Sequence, residues 1–162
     1  MTQTSSLPHP VSVLPGQAGH LPEVHRMLVA LAAHHGDQAT ITPAELARLC
    51  LQDEGARLLV ACLDDSPARH PLGYALLLLR RNMITGRAGY EINQLFVQAP
   101  FRRLGLGRAL IAAARSLAAD EGRAGLTIGT HPSNDGAAAA YRAMGLTELP
   151  PAGPRFAVEI AA

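Results

Sequence analysis

The chain has 162 residues, of which 48% are apolar and only 4% aromatic, and 14 basic against 13 acidic residues leave a net charge of +1. That length supports one domain with a core of Ala, Leu, Val and Ile. A near-neutral balance argues against a general nucleic-acid binder, which carries a dense basic face, and no apolar run is long enough to span a membrane.

Residues 1–10 are polar and proline-bearing and read as a flexible N-terminal segment ahead of a domain over 11–162. Residues 11–14 form a first strand. Leu21, Val24, Leu28 and Leu31 recur at helical spacing, predicting a helix over 21–34 that Gly36 stops. Thr42-Pro43-Ala44-Glu45 is a helix start, with Thr42 as N-cap, proline in the first turn and Glu45 completing a capping box. Leu46, Leu49 and Cys50 share one face of that helix. Strands over 57–63 and 73–79 follow, joined by the turn-rich Asp64-Asp65-Ser66-Pro67, and residues 83–87 make another hairpin loop around Gly86. A strand over 90–97 ends at Pro100, and a helix follows with apolar positions at Leu106, Leu110, Ala113, Ala114 and Leu117. Residues 126–130 form a short strand. Ser133 or Asn134 caps a helix through Met144, with Gly145 closing it. Residues 156–160 alternate as a final strand, and a short strand at 146–149 completes the order β-α-α-β-β-β-α-β-α-β-β. This is an α/β protein with a mixed sheet.

The chemistry concentrates in residues 90–110, YEINQLFVQAPFRRLGLGRAL. Gly105 and Gly107 let the backbone turn so that successive N–H groups point at one spot, just where a helix begins. With Arg102, Arg103 and Arg108 alongside, this is a site for a phosphate-bearing ligand. A dinucleotide fingerprint needs a third glycine where Leu110 stands, and a P-loop needs Gly-Lys-Ser/Thr, which the chain lacks.

Arg102-x-x-Gly105-x-Gly107 resembles the Q/R-x-x-G-x-G/A signature of the GCN5-related N-acetyltransferases (GNAT). Asn134-x-x-Ala137-x-x-x-Tyr141-x-x-x-Gly145-Leu146 resembles that family's second block, with Leu146 in place of the usual Phe. The resemblance implies the GNAT fold and acetyl-CoA as cofactor. It places pantetheine along the backbone of Leu95, Phe96 and Val97, and the pyrophosphate on the amides of Arg103, Leu104, Gly105, Leu106, Gly107 and Arg108, with Arg102 opening the motif. Asn134 and Tyr141 reach the cofactor in this pattern, and Tyr141 is the general acid for the departing thiolate. An amine would attack the thioester directly, through a tetrahedral intermediate, with no metal required.

Glu91 stands where some members of the family carry a base glutamate. Asn93, two residues on, leaves the same face of an unbulged strand and could orient the substrate amine. The alternative for Glu91 is a solvated strand residue, for Asn134 an ordinary helix cap, and for Tyr141 a core tyrosine with a satisfied hydroxyl. His34 and His35 end the first helix. In the family this region lines the acceptor mouth, so His34 is a substrate-binding candidate, although a histidine there also complements the helix dipole. His131 is equally open to both readings. No His/Cys/Asp cluster has metal spacing.

The first helix and the Thr-Pro-Ala-Glu helix faintly resemble those of small-molecule amine acetyltransferases, including diamine types. Asp37, Glu45 and Glu91 could supply negative charge for a cationic amine. Acetylation of protein lysines or N-termini, or a non-catalytic acyl-CoA sensor, are the competing readings. Cys50 and Cys62 read as buried, reduced thiols, the N-terminus lacks a signal peptide, and the expectation is a cytoplasmic protein. The edge left by residues 156–160, and the family's habit, lead to the expectation of a homodimer.

Overall fold

A computed structural model describes residues 10–64 and 69–160. The expected flexible segment therefore lies almost wholly outside the described residues, as does most of the turn after Asp64. The chain divides into two compact units, residues 1–129 and 130–162.

In the first unit five strands lie in the order β1-β2-β3-β4-β5: β1 (Val11–Pro15), β2 (Ala56–Leu63), β3 (Pro71–Arg81), β4 (Ala88–Val97) and β5 (Leu126–Ile128). The first four pair antiparallel, and β5 joins β4 in parallel through a helical crossover. Three helices cover the sheet: α1 (Leu21–His34), α2 (Pro43–Leu51) and α3 (Leu106–Asp120). Because side chains alternate along a strand, the two faces build separate cores. Leu58, Val60, Cys62 and Tyr74 pack with Val24, Met27, Leu46 and Cys50 of α1 and α2. On the other face α3 packs over β2, β3 and β4 and buries Leu106, Leu110, Ile111, Ala114 and Ala118. That stripe includes Ile111 and Ala118, whereas the expected Ala113 and Leu117 lie half-buried at its margin. Spacing alone fixes a stripe to within about one residue, and the twist of the sheet decides the rest.

The capping box forms as expected. Thr42 Oγ1 accepts from Glu45 N at 3.2 Å, and the Glu45 carboxylate accepts from Thr42 N at 2.8 Å. The expected face of α2 loses Leu49, which is exposed, while Leu46 and Cys50 are buried. At the far end of the sheet from the glycine loop, Glu121 closes α3 against the start of β4. It accepts from Arg57 Nε at 2.9 Å, Tyr90 Oη at 2.6 Å and Arg123 at 3.0 Å. These bonds, the tyrosine hydroxyl first, hold its carboxyl down at about 2. Burial raises the Cys50 thiol to about 11, so it stays protonated.

The second unit holds α4 (Asp135–Ala143). Asn134 Oδ1 caps it by accepting from Ala137 N at 3.0 Å. Gly145, left-handed at φ +84°, ends it: its N–H reaches Arg142 O at 3.0 Å and Leu146 N–H reaches Tyr141 O at 3.1 Å. A side chain at that φ is strained, which is why glycine stands there. The two last expected strands do not form. Residues 146–149 and 156–160 carry no ladder, and Phe156, Val158 and Ile160 are 92%, 82% and 82% exposed. Alternation marks a segment able to pair, but a strand exists only with a partner, and the Pro150-Pro151-Ala152-Gly153-Pro154 linker offers few backbone donors to start one. Among the described residues no helix is long and apolar enough to cross a membrane.

Candidate active site

β4 is paired with β3 along its length but with β5 only at Tyr90, Glu91 and Ile92. Among the described residues, 93–97 therefore present one backbone edge to no strand. That edge runs past a short 3-10 turn (Ala99–Phe101) into the glycine loop. Arg103 at φ +62° and Gly105 at φ +88° both take the left-handed region and swing the loop around. For Arg103 this is costly backbone, of the kind that collects at binding sites.

The N–H groups of residues 103–108 donate to no backbone carbonyl among the described residues, and the first helical bond runs from Ala109 N to Gly105 O at 2.9 Å. Such amides, at the positive end of a 15-residue helix, are arranged for an anion. Added Cβ atoms at Gly105 and Gly107 would meet open space, so ligand oxygens have room beside the backbone. Arg103 and Arg108 are exposed and form no ion pair among the described residues. Arg102 behaves differently. Its Nε donates to Val97 O at 2.9 Å and its guanidinium lies 5.4 Å from the Phe96 ring centre, so it clamps the end of β4. Leu95, Phe96 and Val97 are half-buried along the open edge. Backbone edge, free amides and two unpaired arginines fit the phosphates and the amide-bearing arm of a CoA thioester.

One expectation about this strand is corrected. The β3–β4 register slips between Leu76 and Leu77, with Leu76 opposite Gln94 and Leu77 opposite Ile92. Asn93 is thus an extra residue, a β-bulge, and it is exposed. The bulge breaks the alternation, so a spacing of two no longer places Glu91 and Asn93 on one face; Glu91, Gln94 and Phe96 lie opposite Leu78, Leu76 and Tyr74 of β3. Gln94 was missed from sequence. Its Oε1 accepts from the Tyr74 hydroxyl at 2.8 Å, in the core between the sheet and α1. No residue type announces a bulge, so counting by twos could not find it.

Glu91 lies beside a cation. Arg80 Nε donates to its carboxylate at 2.7 Å, with the Glu91 side chain 34% exposed. His34 sits exposed at the end of α1 against the His35 ring, and no hydrogen bond joins it to β4 among the described residues. In the second unit, Tyr141 is half-buried, and burial raises its hydroxyl above the usual phenol range, which keeps it a proton donor. Asn134 spends its carbonyl oxygen on the helix cap, leaving its amide N–H groups as donors. Nδ1 of His131 meets Ser133 Oγ at 2.7 Å, a local turn contact. Among the described residues there is no group of three or more His, Cys, Asp or Glu side chains able to hold a metal ion.

Comparison with known proteins gives this geometry a family. The Acetyltransferase (GNAT) family model matches residues 24–146. The chain belongs to the GNAT acetyltransferases. Solved structures agree with that fold. The aminoglycoside acetyltransferase meta-AAC0020 from an uncultured soil metagenomic sample, in complex with sisomicin, superposes with a TM-score of 0.77 at 16% identity, over 92% of this chain and 97% of its own. AAC(6')-Iy, in complex with a CoA-linked bisubstrate analogue, gives 0.75 at 19% identity, over 92% and 99%. A ribosomal-protein-alanine N-acetyltransferase from Brucella melitensis biovar Abortus 2308 gives 0.70 at 18% identity, over 91% and 100%. A search of curated proteins found no match. This acetyltransferase therefore shares its sheet and helices with enzymes whose stated substrates differ widely.

Proposed function

We propose that this acetyltransferase moves the acetyl group of acetyl-CoA to a primary amine of a small molecule. The observation that carries the reading is the open backbone edge of residues 93–97 leading into the free amides of 103–108. A binding protein needs only the phosphate loop. Glu91 beside the open edge, and Tyr141 kept protonated by burial, supply proton acceptor and donor as well.

Acetyl-CoA, when bound, supplies the activated acetyl group. The residues then have separate tasks. The loop amides with Arg103 and Arg108 fix the pyrophosphate, and Arg102 keeps the strand end in shape by holding Val97 O. Backbone N–H groups along the open edge orient the thioester and favour charge on its oxygen. The neutral nitrogen forms the new C–N bond to give a tetrahedral intermediate, and the C–S bond breaks as that intermediate collapses. Glu91 takes one proton from the ammonium and passes it to solvent; Tyr141 gives its hydroxyl proton to the departing sulfur, and the second proton lost from the nitrogen restores the Tyr141 hydroxyl. His34 and Asn93 are the residues offered for acceptor contact. The same reading has the protein working in the cytoplasm as a homodimer.

Incubation with acetyl-CoA and an amine panel, followed by free thiol release, tests the proposal. Release that depends on an amine supports it. Tight CoA binding with no release for any amine or peptide would leave a sensor instead.

A further inference from the structure

Of the three acids expected to supply negative charge for a cationic amine, two are engaged within the chain. Glu45 gives its carboxylate to Thr42 N and Oγ1, both at 2.8 Å. Glu91 accepts from Arg80, and Asp37 is exposed at the end of α1. Next to the base candidate stands a guanidinium, and its side chain is 58% exposed. Glu91 accepts from Nε of Arg80, and the two terminal nitrogens of Arg80 make no hydrogen bond among the described residues. Those nitrogens form a fork suited to a carboxylate, and they repel a second ammonium.

We infer that the acceptor is an amine carrying its own carboxylate, an amino acid in the broad sense. Its carboxylate binds the terminal nitrogens of Arg80 and its nitrogen lies toward Glu91. The inference rests on the transferase reading with Glu91 as proton acceptor. It explains why an acid placed to take a proton is held by a cation. The incoming carboxylate competes for Arg80 while the incoming ammonium offers Glu91 a cation in place of the guanidinium, so each charge of the Arg80–Glu91 pair keeps a partner of opposite sign. A plain amine offers no carboxylate to take Arg80 from Glu91, and a diamine adds a charge that Arg80 opposes.

The test compares glycine, β-alanine and 4-aminobutanoate with methylamine, ethylamine, butylamine and 1,4-diaminobutane, by thiol release from acetyl-CoA. At least one carboxylated amine is expected to exceed every uncarboxylated one tenfold or more in kcat/KM. Arg80→Gln is expected to cut that preference at least tenfold, chiefly through KM, and Arg80→Lys to restore part of it. Melting curves and CoA affinity check that the variants are folded. Uncarboxylated amines or the diamine serving as well as the amino acids, or a preference unchanged in folded Arg80→Gln, overturns the inference while leaving transfer intact. Silence with every amine is a different result: it removes the small-molecule reading of the transferase, and the inference with it.

Discussion

In the proposed reaction Glu91 and Tyr141 carry opposite halves of the proton traffic, so their variants should fail differently. Glu91→Gln keeps the shape and removes the basicity. It is expected to lower kcat by about a hundredfold or more while leaving CoA affinity unchanged by calorimetry. Near-normal turnover across the pH range would reduce Glu91 to a positioning residue. Tyr141→Phe is expected to slow thiol release by a similar factor and to spare acceptor KM. Burial raises the tyrosine hydroxyl above its ordinary value, so the donor is complete at neutral pH and is lost only above that raised value; the basic limb of the wild-type kcat profile checks this. Tyr141 could be named as a candidate because the second family block fixes its position, and Glu91 because it stands where some members of the family carry a base glutamate. Arg80, eleven residues upstream of its partner, could not, since a cross-strand ion pair depends on a register that only pairing sets.

At the scale of elements, the loop between β4 and α3 makes the sharpest prediction. Gly105 sits at φ +88° with open space where a side chain would go. Gly105→Val strains that turn and fills the space the ligand oxygens need. CoA affinity should fall at least tenfold, about 1.4 kcal/mol, in a variant whose far-ultraviolet dichroism is unchanged. Unchanged affinity in a folded variant would remove the phosphate assignment. Most elements were legible in sequence because local signals agreed with the fold. The α1 boundaries follow from periodicity, and Thr42 and Glu45 announce α2 by chemistry confined to four residues. The bulge at Asn93, the left-handed Arg103 and the unpaired 156–160 segment were not, because each depends on what lies opposite in space.

At the scale of the whole molecule, Glu121 is expected to contribute to acid stability. Its carboxyl is lowered in the folded state to about 2, against about 4.3 in an unfolded chain. A lowered pKa means the stabilisation is complete above the unfolded value and fades as pH falls toward the folded one. Glu121→Gln should cost about 1–3 kcal/mol near pH 7, measured by urea unfolding, and the cost should shrink toward pH 2. A cost that is flat from pH 7 to pH 2 would dissociate this carboxylate from acid unfolding. Assembly is the other whole-molecule expectation. Phe156, Val158 and Ile160 expose three apolar side chains in alternation, and light scattering at micromolar concentration is expected to report a dimer. Phe156→Asp with Val158→Asp should shift it toward monomer. A wild-type monomer would count against the assembly.

The slipped register at Asn93 divides β4 into two stretches with different fates. From Tyr90 to Ile92 the strand is held on both sides, whereas from 93 to 97 it is held on one. Without ligand, amide protons on the open side of the second stretch should trade with deuterium quickly, and those of the first stretch slowly. If a pantetheine arm lies down as a sixth strand, CoA should slow exchange at alternate residues of 93–97 and leave Tyr90 to Ile92 almost as before. A bulge of one residue would then appear as a sharp boundary in time, with one strand carrying two clocks and the ligand resetting only the faster.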